Sequence, residues 1–233
     1  MLELARRTVF GIAGITACAG VALLGGCGGG GSSTTSAALG AADGGAPQST
    51  IDGNVSQPTP DARPGIPVTV SGGGFQSTVR TDAFGGFLFY VAPVGDVIAR
   101  FGEGSCSAEI PFADVTNGSR LTIRDVRFDC GSATPSRVDE VFRGVLRSAL
   151  PNRVAELEIC VAAGVSHVVR SVKTDTETFF ADETGQEIDF TQLAPGDFVE
   201  TTGYREHLGA PSSVVAGRVQ QLARGRQDAC ATQ

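Results

Sequence analysis

The sequence predicts an all-β protein, a β-sandwich followed by a small β-barrel, both carried behind an export signal and a flexible tether. Three observations predict it. From Ile51 onward, short alternating apolar and polar runs are separated by Gly, Pro, Asp and Asn, which is the texture of half-buried strands and not of helices. Before that point, Gly28 to Thr50 is nearly all Gly, Ser, Thr and Ala, with Leu39 its one core-forming side chain. At the start, Arg6 and Arg7 precede an apolar stretch from Thr8 to Leu24.

That stretch has the charged and apolar regions of a secretory signal, residues 1–26. It is too short and too rich in glycine to favour a spanning helix, and no later stretch reaches spanning length. The run Gly28 to Gly31 is no phosphate cradle. A phosphate loop needs a Lys-Ser/Thr pair, and the one lysine, Lys173, is distant. Leu24-Gly25-Gly26-Cys27 instead resembles the bacterial lipobox. The resemblance implies a diacylglyceryl group on the Cys27 sulfur, cleavage before Cys27, and an acylated amine (palmitate is the usual chain). Ile15-Thr16-Ala17-Cys18 matches the same pattern but leaves a very short apolar core, so Cys27 ranks ahead of Cys18. Gly28 follows the cysteine where an Asp would retain it. By the family's sorting pattern this implies the outer membrane in an organism that has one.

Residues 27–50 then form the lipidated cysteine and tether. Such a segment cannot bury enough apolar surface to offset its ordering entropy. Its r.m.s. reach is roughly 25–30 Å. The chain is acidic, with a formal net charge of −7, and its arginines look scattered. That argues against a nucleic-acid partner and against docking on anionic lipid.

Residues 51–130 are expected to be the sandwich. "IPVTVSGGG" (Ile66 to Gly74), "STVRTDAFGGFLFYVAP" (Ser77 to Pro93), "DVIARF" (Asp96 to Phe101) and "SRLTIRDVRF" (Ser119 to Phe128) read as strands. Asp82 to Gly86 reads as a turn. Phe87 to Ala92 is apolar on both faces, which predicts a central strand. Ile51-Asp52-Gly53-Asn54-Val55, Gly65 to Val70, Thr81 to Phe87 and Pro93 to Val97 resemble the carboxypeptidase-regulatory-like, transthyretin-like sandwich domain. The resemblance implies a non-catalytic spacer or a module that faces carbohydrate or protein.

Residues 138–230 are expected to be the barrel. "GVLRSAL", "AELEICVAA", "HVVRSVKTDTETFFA", "DFVETTGYRE" and "SVVAGRVQQL" are strands at short spacing. Val154, Leu157, Ile159 and Val161 mark a buried face with Glu156 and Glu158 outward, Gly196-Asp197 is a turn, and Gly203 predicts a bulge. Val172 to Phe179 with Leu193 to Glu200 and Gly203 resembles an OB-like barrel domain of bacterial secreted proteins and lipoproteins. The resemblance implies a fold and no activity.

Cys106, Cys130, Cys160 and Cys230 remain for disulfides in an exported protein, with three connectivities open. The module organisation favours 106–130 and 160–230. No C-x-x-C occurs and His167 and His207 are isolated from the cysteines, so no metal and no cofactor are expected. The acidic residues Asp175, Glu177, Asp182, Glu183, Glu187 and Asp189 lack the spacing of a calcium loop and read as a solvated strand edge. Ser166 and His167 fall on opposite faces of a strand. No catalytic residue is assigned. The expected role is a non-catalytic structural or binding one in the cell envelope, with an envelope protein or glycan as partner. The alternative is an envelope hydrolase using paired carboxylates on a glycan or cell-wall polymer. Cys27→Ser is expected to release the protein from membranes, because two acyl chains give retention that the acidic body does not supply. Fractionation that leaves the variant membrane-bound would refute lipidation at Cys27.

Overall fold

The structure, a computed structural model, describes residues 48–56, 63–149, 156–163, 166–209 and 212–225. Cys18, Cys27, Val154 and Cys230 lie outside them. The chain is all-β, and among the described residues the one helical element is a 3-10 turn at Phe190–Gln192. The strands are β1 (Ser49–Ser56), β2 (Pro67–Gly72), β3 (Phe75–Arg80), β4 (Gly86–Ala92), β5 (Gly95–Glu103), β6 (Cys106–Val115) and β7 (Arg120–Asp129). They continue as β8 (Ser132–Thr134), β9 (Arg137–Ala149), β10 (Glu156–Ala163), β11 (Ser166–Lys173), β12 (Phe179–Ala181), β13 (Phe198–His207) and β14 (Ser213–Ala223).

The first half is two facing sheets. One has the order β3-β2-β5-β6; the other runs β7-β1-β4 at one end of a larger sheet. Period-2 alternation sends Val68, Val70, Val97, Ala99, Phe101 and Ile110 from the first against Ile51, Phe87, Phe89, Leu121 and Ile123 from the second. Phe87 packs edge-on to Phe101 with ring centroids 5.7 Å apart. The Asp82 turn forms as expected: Oδ1 accepts from Phe84 N–H and Gly86 N–H, both at 2.8 Å, and Gly85 supplies φ +77°. The expectation of a central Phe87 to Ala92 strand is corrected. Among the described residues β4 ends its sheet with β1 as its one ladder partner, and its outer face leaves Leu88 37% and Tyr90 80% exposed. Apolarity on both faces therefore did not report two-sided burial here.

The second half closes on itself. The order β10-β11-β14-β13-β9 is completed by a β9–β10 ladder, giving a five-stranded ring in which β11 and β14 run parallel. Phe142, Leu146, Leu157, Ile159, Val161, Val172, Val199, Val214 and Val219 fill it. Glu156 and Glu158 face outward as the alternation predicts. A bulge is present at this point but on the partner strand: Thr202 pairs with Arg218 and Gly203 with Ala216, so the extra residue is Gly217 of β14. Gly203 is obligatory opposite it, since a Cβ would lie 2.2 Å from the Val215 carbonyl oxygen.

One strand serves both halves. β9 pairs with β7 over Arg137–Val141 and with β10 over Val145–Ala149, while β13 runs along its other edge. Midway along β9, Glu140 is fully buried between two guanidiniums. Arg170 of β11 donates to Oε1 at 2.8 Å and to Oε2 at 3.1 Å; Arg205 of β13 donates to Oε2 at 2.9 Å and to Oε1 at 3.0 Å. The same arginines reach into β6 of the sandwich. Arg205 donates to the Ala113 carbonyl at 2.5 Å and Arg170 to that of Asp114 at 3.2 Å. Asp114 takes φ +54°, which bends the end of β6 so that both carbonyls meet the pair. The Arg170 guanidinium also lies 4.8 Å from the Phe142 ring centroid.

Burial pushes the Glu140 carboxyl up, but Arg170 and then Arg205 outweigh it and hold it below its ordinary value. Burial pulls Arg205 down despite Glu140, yet a guanidinium stays protonated throughout the working range. A disulfide joins Cys106 to Cys130, tying the start of β6 to the end of β7 with Cα atoms 4.3 Å apart. In chain-entropy terms a loop of that size contributes about 3.5 kcal/mol. Cys160 is buried in β10, and its expected partner Cys230 lies outside the described residues.

Glu140→Gln should lower unfolding free energy by about 3–5 kcal/mol, because it strands two desolvated cations. Denaturant titration measures this. Because the folded-state value of Glu140 is depressed, its contribution is present above the ordinary glutamate range, about pH 4.3, and is lost as pH falls through the lower folded value. The variant should lack that part of the acid slope; an unchanged slope would contradict an ionised Glu140.

Candidate functional site

Four neighbouring strands of the large sheet, β7, β9, β13 and β14, present one continuous outer face. Alternation decides what it carries. On β7, Leu121 and Ile123 point into the core, so Arg120, Thr122 and Arg124 point out. On β9, Val138, Glu140 and Phe142 are buried, which leaves Arg137, Asp139 and Val141 outward. On β13, Thr201, Gly203 and Arg205 are inside, and Thr202 and Tyr204 outside. Arg218 of β14 and the loop acids Asp175 and Glu177 complete an open groove of about 710 Å3.

Three of the groove arginines, Arg120, Arg124 and Arg137, share a construction. Arg120 donates its Nε–H to Asp52 Oδ1 at 2.8 Å. Arg124 and Arg137 each donate Nε–H to a different oxygen of Asp139, Arg124 to Oδ2 and Arg137 to Oδ1 at 2.5 Å. The carboxylates are sunk toward the sheet while more than half of each guanidinium side chain is exposed. Anchoring through Nε aims the terminal Nη fork outward. The hydrogen bond it donates to Asp139, followed by that residue's charge, holds Arg124 above its ordinary value, and Asp52 does the same for Arg120. The Arg137 guanidinium lies 4.5 Å from the Tyr204 ring centroid, and Arg218 lies 5.6 Å from that of Phe179.

On the opposite side, the β11–β12 loop is pinned to β14. The Thr178 hydroxyl accepts from Asp175 N–H at 2.9 Å and donates to the Ala216 carbonyl at 2.8 Å. Asp175 Oδ1 accepts from Glu177 N–H at 2.9 Å, closing a short Asx turn. The groove thus sets a wall of three guanidiniums, Arg120, Arg124 and Arg137, against a wall that holds two carboxylates and the Arg218 guanidinium.

The rest of the acidic cluster does local work and does not gather into one site. Asp182 folds its turn by accepting from Thr184 and Gln186, and the Thr184 hydroxyl bond foremost keeps its carboxyl low. Asp189 caps the 3-10 turn through Thr191 N–H. Ser166 and His167 occupy successive positions of β11, on opposite faces. The arginine groove was missed in the sequence, where Arg120, Arg124, Arg137 and Arg218 look scattered. The available signal was the "RLTIR" alternation, which places Arg120 and Arg124 on one face.

No family model matches the chain, and no curated protein matches it. Among solved structures, a candidate carbohydrate-binding protein of Bacteroides uniformis aligns with 73% of this chain and 99% of its own, at 11% identity and a TM-score of 0.26. At that score the likeness bears on neither the fold nor the function.

Gly203 lies between the groove residues Thr202 and Tyr204, where β13 passes close against the Val215 carbonyl of β14. Gly203→Ala should destabilise by about 1–3 kcal/mol, since the added methyl collides with backbone. A thermal melt matching that of the unaltered chain would show that this close approach does not require glycine.

Proposed function

We propose that this chain is a lipid-anchored envelope protein whose folded body is a binding module, non-catalytic, with the groove over β7, β9, β13 and β14 as its binding surface. The observation that carries the reading is the set of Nε-anchored arginines beside Tyr204. Side chains tethered at the inner atom and free at the outer one are pre-organised for a polar ligand and lose little freedom on binding. An open groove along a sheet face suits a segment of polymer better than an enclosed small molecule. The sequence resemblances agree: a carboxypeptidase-regulatory-like sandwich and an OB-like barrel are both scaffolds for binding faces. Leu24-Gly25-Gly26-Cys27 and the tether behind it supply the anchor and the reach.

Asp139 is the carboxylate most central to the groove, and two guanidiniums already occupy it. Each of its oxygens is therefore already engaged by a guanidinium, which sets it apart from the open carboxylates of a hydrolytic pair. A panel of purified envelope polysaccharides, screened by affinity electrophoresis and by release of reducing ends, separates the readings. Retardation that Tyr204→Ala weakens about tenfold, with no reducing ends released, is the expected result. Chain cleavage would replace the binding module with the hydrolase, and retardation indifferent to Tyr204→Ala would remove the groove from the function.

A further inference from the structure

We infer that the ligand of this groove is a uronic-acid-bearing glycan, its carboxylates held by the outward forks of Arg120, Arg124 and Arg137. The inference rests on the binding-module reading above and adds the ligand's chemistry to it. A guanidinium anchored through Nε leaves its two Nη nitrogens as a planar pair of donors, which matches the two oxygens of a carboxylate. Three such forks lie along β7 and β9, and Asp139 neutralises only one of the two charges that it anchors. The groove therefore has a positive wall on an otherwise acidic chain.

The facing wall chooses between anionic ligands. Asp175 and Glu177 line the same groove. They oppose a ligand that turns charge toward both walls, such as a phosphodiester backbone, and they accept hydrogen bonds from a ligand that turns hydroxyls toward them. A uronate residue bears both groups on one ring, a carboxylate for the forks and hydroxyls for the acids. Tyr204 offers its edge and its remaining face as an apolar floor for the C–H face of a pyranose, since Arg137 already covers one side. A polyphosphate or a nucleic acid satisfies one wall and is opposed by the other.

Calorimetry on the purified full chain tests this with oligomers of galacturonate, of alternating glucuronate and N-acetylglucosamine, and of mannuronate and guluronate. Their fully methyl-esterified forms keep the shape and remove the charge. Polyphosphate and dextran sulfate serve as anions without uronate. The expected result is binding of at least one uronate oligomer, about tenfold or more tighter than its ester, weakening as salt rises. Combining Arg124→Gln with Arg137→Gln should abolish that preference, with an unchanged thermal midpoint showing that the fold is intact. Arg100→Gln, which removes an arginine on β5 outside the groove, should leave the affinity as it was. The chain has no Trp and two Tyr, so in a Tyr90→Phe background Tyr204 emission should change on binding.

Equal affinity for acid and ester, or tighter binding of neutral glycans, overturns the uronate inference while the groove reading stands. Polyphosphate or dextran sulfate binding as tightly as any uronate also overturns it, in favour of plain charge attraction. If no glycan binds and Tyr204 emission is indifferent to all of them, the inference and the binding-module reading fall together.

Discussion

Glu140 is a carboxylate with no access to water, and the arrangement of both halves follows from how it is held. A buried charge is tolerated when partners replace its hydration, and here Arg170 and Arg205 each give two donors to its two oxygens. Those arginines bring a second positive charge into the interior, which asks for further acceptors. The carbonyls of Ala113 and Asp114 meet that demand, and the Asp114 carboxylate adds a favourable charge toward Arg205. The barrel's ion cluster therefore requires the end of β6. The apolar clusters of sandwich and barrel are joined by polar chemistry at a point where neither would otherwise favour the other.

Further contacts work around the same point. Ala113 N–H donates to the Leu208 carbonyl at 2.9 Å, Asn117 N–H to that of Ala162 at 2.8 Å, and Ser212 Oγ to Asp114 Oδ2 at 2.9 Å. The end of β6 and the β6–β7 connection are thus stitched to β10 and to the β13–β14 connection. Charged buried networks add geometric selectivity more readily than net stability. That suits a junction whose job is to fix one relative placement of β7, β9 and β13.

The groove is the other side of that junction. Asp139 faces out and Glu140 in; Tyr204 faces out and Arg205 in. The residues that hold the ion cluster and those that line the candidate site are sequence neighbours on the same two strands. Rigid backbone behind the groove is what lets long, exposed arginines act as defined donors instead of solvated tails. Their anchors, Asp52 and Asp139, lie on strands fixed by the same ladder system.

The sequence by itself determined what depends on near neighbours. Period-2 alternation marked Ile66 to Gly74 and Ser119 to Phe128 as strands and located Leu157, Ile159 and Val161 as a buried face, and Asp82 announced a turn through its own conformational chemistry. The signal and nearly all of the tether expected from composition lie outside the described residues. Only the tertiary structure decided that β4 lies at a sheet edge, since apolar side chains on two faces look alike whether or not a second layer covers them. It alone decided which of two adjacent carboxylates, Asp139 or Glu140, is buried, because the answer lies in partners 30 and 65 residues away. It alone gathered Arg120, Arg124, Arg137 and Arg218 into one groove. Alternation assigns each residue a face of its strand, but strand order, which rests on long-range pairing, decides which faces become neighbours.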